Sequence, residues 1–131
     1  MTGSSRSAQA MVTVDDVRDF ATTLPRAYEA VVRDRVKFRV GRIVFLAFSR
    51  DESTMGFAFP KEERDALVES EPNKFEMPPA SDLRYHWVVV KLTAIDRTEM
   101  REIVLEAWRM VVPKKVAAAF EAAGGFEIGR G

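Results

Sequence analysis

The chain has no cysteine and one histidine, His86. Without thiols it can form no disulfide, no thiolate metal site and no cysteine nucleophile, and one imidazole cannot supply the multi-histidine sets that zinc usually needs. No apolar run approaches the roughly 20 residues that span a bilayer, and the opening MTGSSRSAQA lacks the apolar centre of a secretory signal. The expectation is a cytoplasmic protein with no membrane partner. Net charge is also missing: 20 Lys and Arg balance 20 Asp and Glu. No global field draws the chain to nucleic acid, so any such attraction must be local. No nucleophile, carboxylate pair or glycine-rich phosphate loop stands at a diagnostic spacing, so no catalytic residue, cofactor or metal is expected and the chain reads as a non-enzyme.

What is present fits one domain. A length of 131 residues with 47% hydrophobic content can bury a core without staples. Residues 1–10 are small and polar with no period and read as a disordered leader, leaving 11–131 as a single domain, monomeric by default. Thr13 with Asp16 three residues on marks a helix start. Val14, Val17, Phe20, Ala21 and Leu24 then recur at helical spacing over 14–24, until Pro25 stops the pattern.

The rest is organised around Arg33 to Phe59. A first strand near Tyr28 to Val32 precedes an Arg33-Asp34 turn. In the next run Arg33, Arg35, Lys37 and Arg39 share one parity, while Val36, Phe38 and Val40 take the other. On a strand, same-face neighbours sit about 6.6 Å apart, so four cations would form a row about 20 Å long over a hydrophobic opposite face. Gly41-Arg42 carries the signature of a two-residue type II′ turn. Ile43 to Phe48 is apolar on both parities, which predicts a central strand covered on both sides. Met55, Phe57 and Phe59 share a face opposite Gly56 and Ala58, whose small size lets a helix or a neighbouring backbone approach.

Pro60 opens a helix near 60–70 with Glu62, Glu63 and Asp65 at its positive end. Residues 71–85 hold three prolines and form the longest irregular connection. HWVVVKL, 86–92, is a strand. Asp96 and Glu99 start the longest helix, 97–111, in a capping-box-like pattern, and a final helix after Pro113 closes at Gly124 and Gly125.

The order and spacing of TVDDVRDFATTLP, FRVGRIVFLAF, FAFPKEERDAL, HWVVVKL and EAWRMVVPKKVAA resemble the MmcQ/YjbR-like family, small bacterial proteins commonly labelled DNA-binding, over roughly Val12 to Phe120. None of these segments is a catalytic motif. The resemblance implies a two-layer α+β fold in which an antiparallel sheet of about five strands is covered by helices, similar to frataxin-like and secretion-chaperone-like folds. It also implies a DNA-binding role for the hairpin that turns at Gly41-Arg42.

Two readings of the cations stand side by side. Arg33, Arg35, Lys37, Arg39 and Arg42, with Lys114 and Lys115 near Arg109, are candidate phosphate contacts, which give affinity without reading sequence. The ordinary alternative is a solvated face or a charged edge that blocks aggregation. In the first case the partner is DNA. In the second, the sheet face or the proline-rich loop serves another protein. His86, next to Arg84 and Tyr85, could serve a small anion, but lacks companions for catalysis. Trp87 and Trp108 sit on apolar patterns, as packing residues do, and the acidic set Glu62, Glu63, Asp65, Glu69 and Glu71 reads as a solvated face.

Overall fold

A computed structural model describes residues 12–124; the expected leader 1–10 and Gly125 lie outside them. Helix α1, Val14–Ala21, starts at a capping box in which the Thr13 hydroxyl accepts from the Asp16 N–H and the Asp16 carboxylate accepts from the Thr13 N–H. It ends before the expected residue 24, with Leu24 buried in the turn that follows. Strands β1, Ala27–Val32, β2, Arg35–Val40, β3, Ile43–Phe48, and β4, Thr54–Ala58, follow as a meander. Helix α2 spans Lys61–Ser70 with Pro60 at its N-cap. The proline-rich connection is more ordered than its composition implies: it contains β5, Phe75–Glu76, and a 3-10 turn, Ala80–Asp82. Strand β6, Trp87–Lys91, leads to α3, Arg97–Val111, and α4, Lys114–Ala122.

The antiparallel sheet has six strands in the order β1-β2-β3-β4-β6-β5, one more than expected because two-residue β5 is too short to show a period. Both early hairpin turns are two residues long. Arg33 and Asp34 have φ of 54° and 68°, the left-handed pair of a type I′ turn, whereas at Gly41-Arg42 only Gly41, at 61°, is left-handed, as type II′ requires.

Helix α3 packs on β3 and β4, and α1 packs on α3. Phe38, Leu46, Phe57 and Val88 lie opposite one another on the helix-covered face and are buried with Phe45, Val90 and Trp108. Ile103, expected in the core, packs against its margin. The Trp108 indole N–H donates to the Pro25 carbonyl at 2.8 Å, and its ring meets Phe120 edge-on at 5.2 Å.

Strand β3 is central, but helices cover only one side of it. Phe38 lies opposite Leu46 and Arg39 opposite Val44, so Phe45 is an extra residue in the ladder. This bulge turns both Phe45 and Leu46 into the core and leaves Ile43 54% exposed. The two-parity hydrophobicity of the strand thus reflects a bulge and an open face, not two covering layers.

A forked ion pair ties α1 to the edge strand: Arg18 Nε and Nη2 donate to the two Glu29 carboxylate oxygens at 2.7 and 2.8 Å. Arg18 holds Glu29 below its ordinary pKa near 4.5, and the Thr13 backbone N–H does the same for Asp16 below 3.8. Both groups bind protons more weakly folded than unfolded, so their stabilisation is present above those ordinary values and is lost as pH falls through the folded ones. Urea midpoints are therefore expected to hold from pH 7 to about 5 and decline below about 4.5. Glu29→Gln should lower stability by about 1 kcal/mol at pH 7 and flatten the decline; an unchanged acid profile would remove the pair from this role.

Candidate nucleic-acid interface

The sheet face opposite the body of α3 carries the site, with Met110 and Val111 from the last turn of α3 reaching its rim. Lys37, Ala47, Gly56 and Val89 lie opposite one another in successive strands, with Arg35 and Arg39 on the same face of β2 by alternation. The central strands present only small or medium residues here, and the flanks stand taller: the basic side chains of β2 on one side, Trp87 and the 77–86 connection on the other. The result is an open groove of about 780 Å³ lined by Arg35, Lys37, Arg42, Tyr85, His86 and Trp87, among others. It continues past Trp87 into a second depression of about 590 Å³ over Gly56 and Val89.

The groove cations Arg35, Lys37 and Arg42 make no ion pair among the described residues, although Asp82 also lines the groove. Arg18, Lys74, Lys91, Arg97 and Arg109 each pair with a carboxylate. Among the described residues no carboxylate pairs with Arg33, Arg35, Lys37, Arg39 or Arg42. Arg26, Arg50, Lys61, Arg64, Arg84, Arg101, Lys114 and Lys115 also have no carboxylate partner there. What sets the hairpin apart is density: Arg33, Arg35, Lys37, Arg39 and Arg42 stand against one acid, Asp34, within residues 33–42 of a chain with no net charge.

The YjbR family model matches residues 22–110. The chain belongs to the YjbR family. Its fold is similar to that of the Deinococcus radiodurans protein DR2400, a DUF419-domain protein, with a TM-score of 0.69 over 81% of this chain and 83% of that chain at 21% identity. The search of curated proteins found no match.

Within the YjbR fold the expected basic set divides. Arg35, Lys37 and Arg42 line the groove. Arg33 leaves the row, because its left-handed φ places it in the turn before β2 and not on the strand. Arg39 keeps the face but not the groove: it is half-buried, and its Nε is enclosed with no hydrogen-bond acceptor. The on-strand row is thus three cations over about 13 Å. Lys114 and Lys115 are exposed in the first turn of α4 and line neither depression, and Arg109 is engaged by Glu106 and Glu121.

Three assignments change. His86 Nδ1 accepts the Lys61 N–H at 3.0 Å, capping α2, so the neutral ring carries its proton on Nε2. The space opposite Gly56 is filled by a side chain, not by a helix or a backbone: a Cβ built on Gly56 would lie 2.4 Å from Trp87 Nε1, so the indole lies against the bare backbone. Glu99 likewise does not complete the expected capping box; Asp96 caps α3, and the Glu99 carboxylate accepts from Lys74 Nζ at 3.0 Å. Among the described residues no cluster of His, Asp and Glu could hold a metal, and no helix is long and apolar enough to cross a membrane.

Sequence reasoning missed Arg64. It is the only buried charged residue among those described, 7% exposed, and its guanidinium donates to the carbonyls of Leu83, Tyr85 and Trp87 at 2.8 to 3.0 Å. These three bonds fix the connection that walls the groove. The available signal was a cation amid the acids Glu62, Glu63 and Asp65 on α2, which reads as surface charge until the fold places carbonyls around it. Arg64→Ala should cost about 2 to 3 kcal/mol, since hydrogen bonds to a charged group are worth roughly 1.5 to 3 each and are not additive. Amide exchange should accelerate first in 83–87; uniform acceleration would instead make Arg64 a general core residue.

Proposed function

We propose that the chain is a non-enzymatic cytoplasmic module that binds nucleic acid weakly and without sequence preference through the groove of Arg35, Lys37 and Arg42. Arg33 and Arg39 add to the local field. The observation that carries this reading is the density of positive charge on the hairpin, where five cations stand against the single acid Asp34 within residues 33–42 and three of them line the groove. Phosphate contacts position a protein without reading bases, and no side chain array here resembles a base-reading helix. A salt titration of a mixed-sequence oligonucleotide tests it. Three phosphate contacts give a slope of log affinity against log salt of about −2 to −3, largely independent of sequence. No binding at 50 mM salt, or binding indifferent to salt over roughly 50 to 200 mM, would remove the reading.

A second reading, protein interaction, is supported by β1. It is an edge strand with its outer ladder unpaired, and Tyr28 and Val31 on it are 44% and 65% exposed. Such an edge accepts a partner strand. Loss of the nucleic-acid reading in the salt titration would promote this one.

A further inference from the structure

The groove combines charge with an aromatic surface. The Trp87 indole lies against Gly56, where any Cβ would collide with Nε1, Cε2 and Cζ2, so the bare backbone seats that side of the ring. The ring is half-buried and borders both depressions of the open sheet face. Its Nε1 has no hydrogen-bond acceptor among the described residues, in contrast to that of Trp108, which bonds Pro25. Gly56 lies two strand spacings, roughly 10 Å, from Lys37 across Ala47. The floor between them is Ala47 and Gly56, small enough to admit a flat group, and Tyr85 stands at the same rim with the Arg84 guanidinium over its ring at 4.9 Å.

We infer that the occupant of this groove is a single strand of nucleic acid, its phosphates along Arg35, Lys37 and Arg42 and an unstacked base on the Trp87 indole. The inference rests on the phosphate-binding reading and adds the strand form. A duplex keeps its bases stacked within the helix and offers Trp87 nothing to stack on. A single strand exposes a base face to the indole while its backbone follows the cations, and this stacking tolerates any sequence because every base has a π-face. Asp82 also borders both depressions; as an anion it repels phosphate and helps confine the backbone to the β2 side.

The test compares an oligothymidylate of about 12 nucleotides with the same strand annealed to its complement, for the parent, Trp87→Leu and Trp87→Phe. The parent is expected to bind the single strand more tightly and to lose indole fluorescence on doing so. That signal reports Trp87, because Trp108 is fully buried. Trp87→Leu should weaken single-strand binding by about 5- to 100-fold, the value of one stacked base, leave duplex affinity within about twofold because phosphate contacts remain, and abolish the quenching. Trp87→Phe should retain most of the affinity. Equal or tighter duplex binding, or no quenching, overturns the strand assignment while a persisting salt slope keeps the phosphate reading. Absence of binding to either form removes both. Should Trp87→Leu fail to fold, quenching of the parent by single strand over duplex decides alone.

Discussion

Replacing Arg35, Lys37 and Arg42 together by Gln is expected to abolish most of the chain's affinity for nucleic acid at low salt while leaving its fold intact. Each phosphate contact contributes about 0.7 on a single strand and about 0.9 on a duplex to the slope of log affinity against log salt, so the triple variant should be flatter by about 2 to 3. Over the fourfold change from 50 to 200 mM salt, the parent should then lose about 20-fold (single strand) to 40-fold (duplex) more affinity than the variant. Every sequence should be affected alike, since the lost contacts carry no base information. Stability should change little. None of the three has a carboxylate partner among the described residues. Only Arg35 makes a hydrogen bond, from Nε to the Phe48 carbonyl at 3.1 Å. Gln is long enough to keep the stems that cover the sheet. Arg39→Gln, as a companion, should have a smaller effect, because Arg39 does not line the groove. The expected alternative of a protective charged edge does not apply, because β2 is paired on both sides; a merely solvated face instead predicts that affinity and solubility are both unchanged in the triple variant. Measuring affinity and solubility on the same sample separates the two.

The second large effect is on stability. Phe45→Ala should cost about 3 to 5 kcal/mol, the range for truncating a buried Phe. The ring is fully buried and stands in the core because the β3 bulge places it beside Leu46. Small domains have only about 5 to 15 kcal/mol of net stability, so the variant should lose about a fifth of it or more. Denaturant unfolding with an unchanged slope would show a clean stability loss. A loss below about 1 kcal/mol would mean that the bulge relaxes and the strand re-registers to expose position 45. The groove offers an independent readout, because re-registering β3 would carry Ala47 off the open face.

The local features of the fold were legible in the sequence because their causes lie within a few residues. The Thr13 and Asp16 capping box, the Gly41 type II′ turn, the alternation of β2 and the stripe of α3 each depend on neighbours in the chain, and each stands where the pattern puts it. Alternation also established that Arg35, Lys37 and Arg39 share a face. It could not establish what stands on that face. Arg33 left the row through a left-handed turn made without glycine, and the bulge at Phe45 broke the parity rule for β3. The proximity of Trp87 to Gly56 and of Arg64 to three loop carbonyls depends on strand order and on where α2 docks. Those contacts join residues 19 to 31 positions apart, and no local propensity encodes them. The sequence by itself thus determined which residues could be basic, apolar or turning together. The tertiary structure alone decided that, among the described residues, the body of α3 covers one face of β3 and β4, burying Phe38, Leu46, Phe57 and Val88, and leaves the other face, with its hairpin cations and the Trp87 indole, largely open.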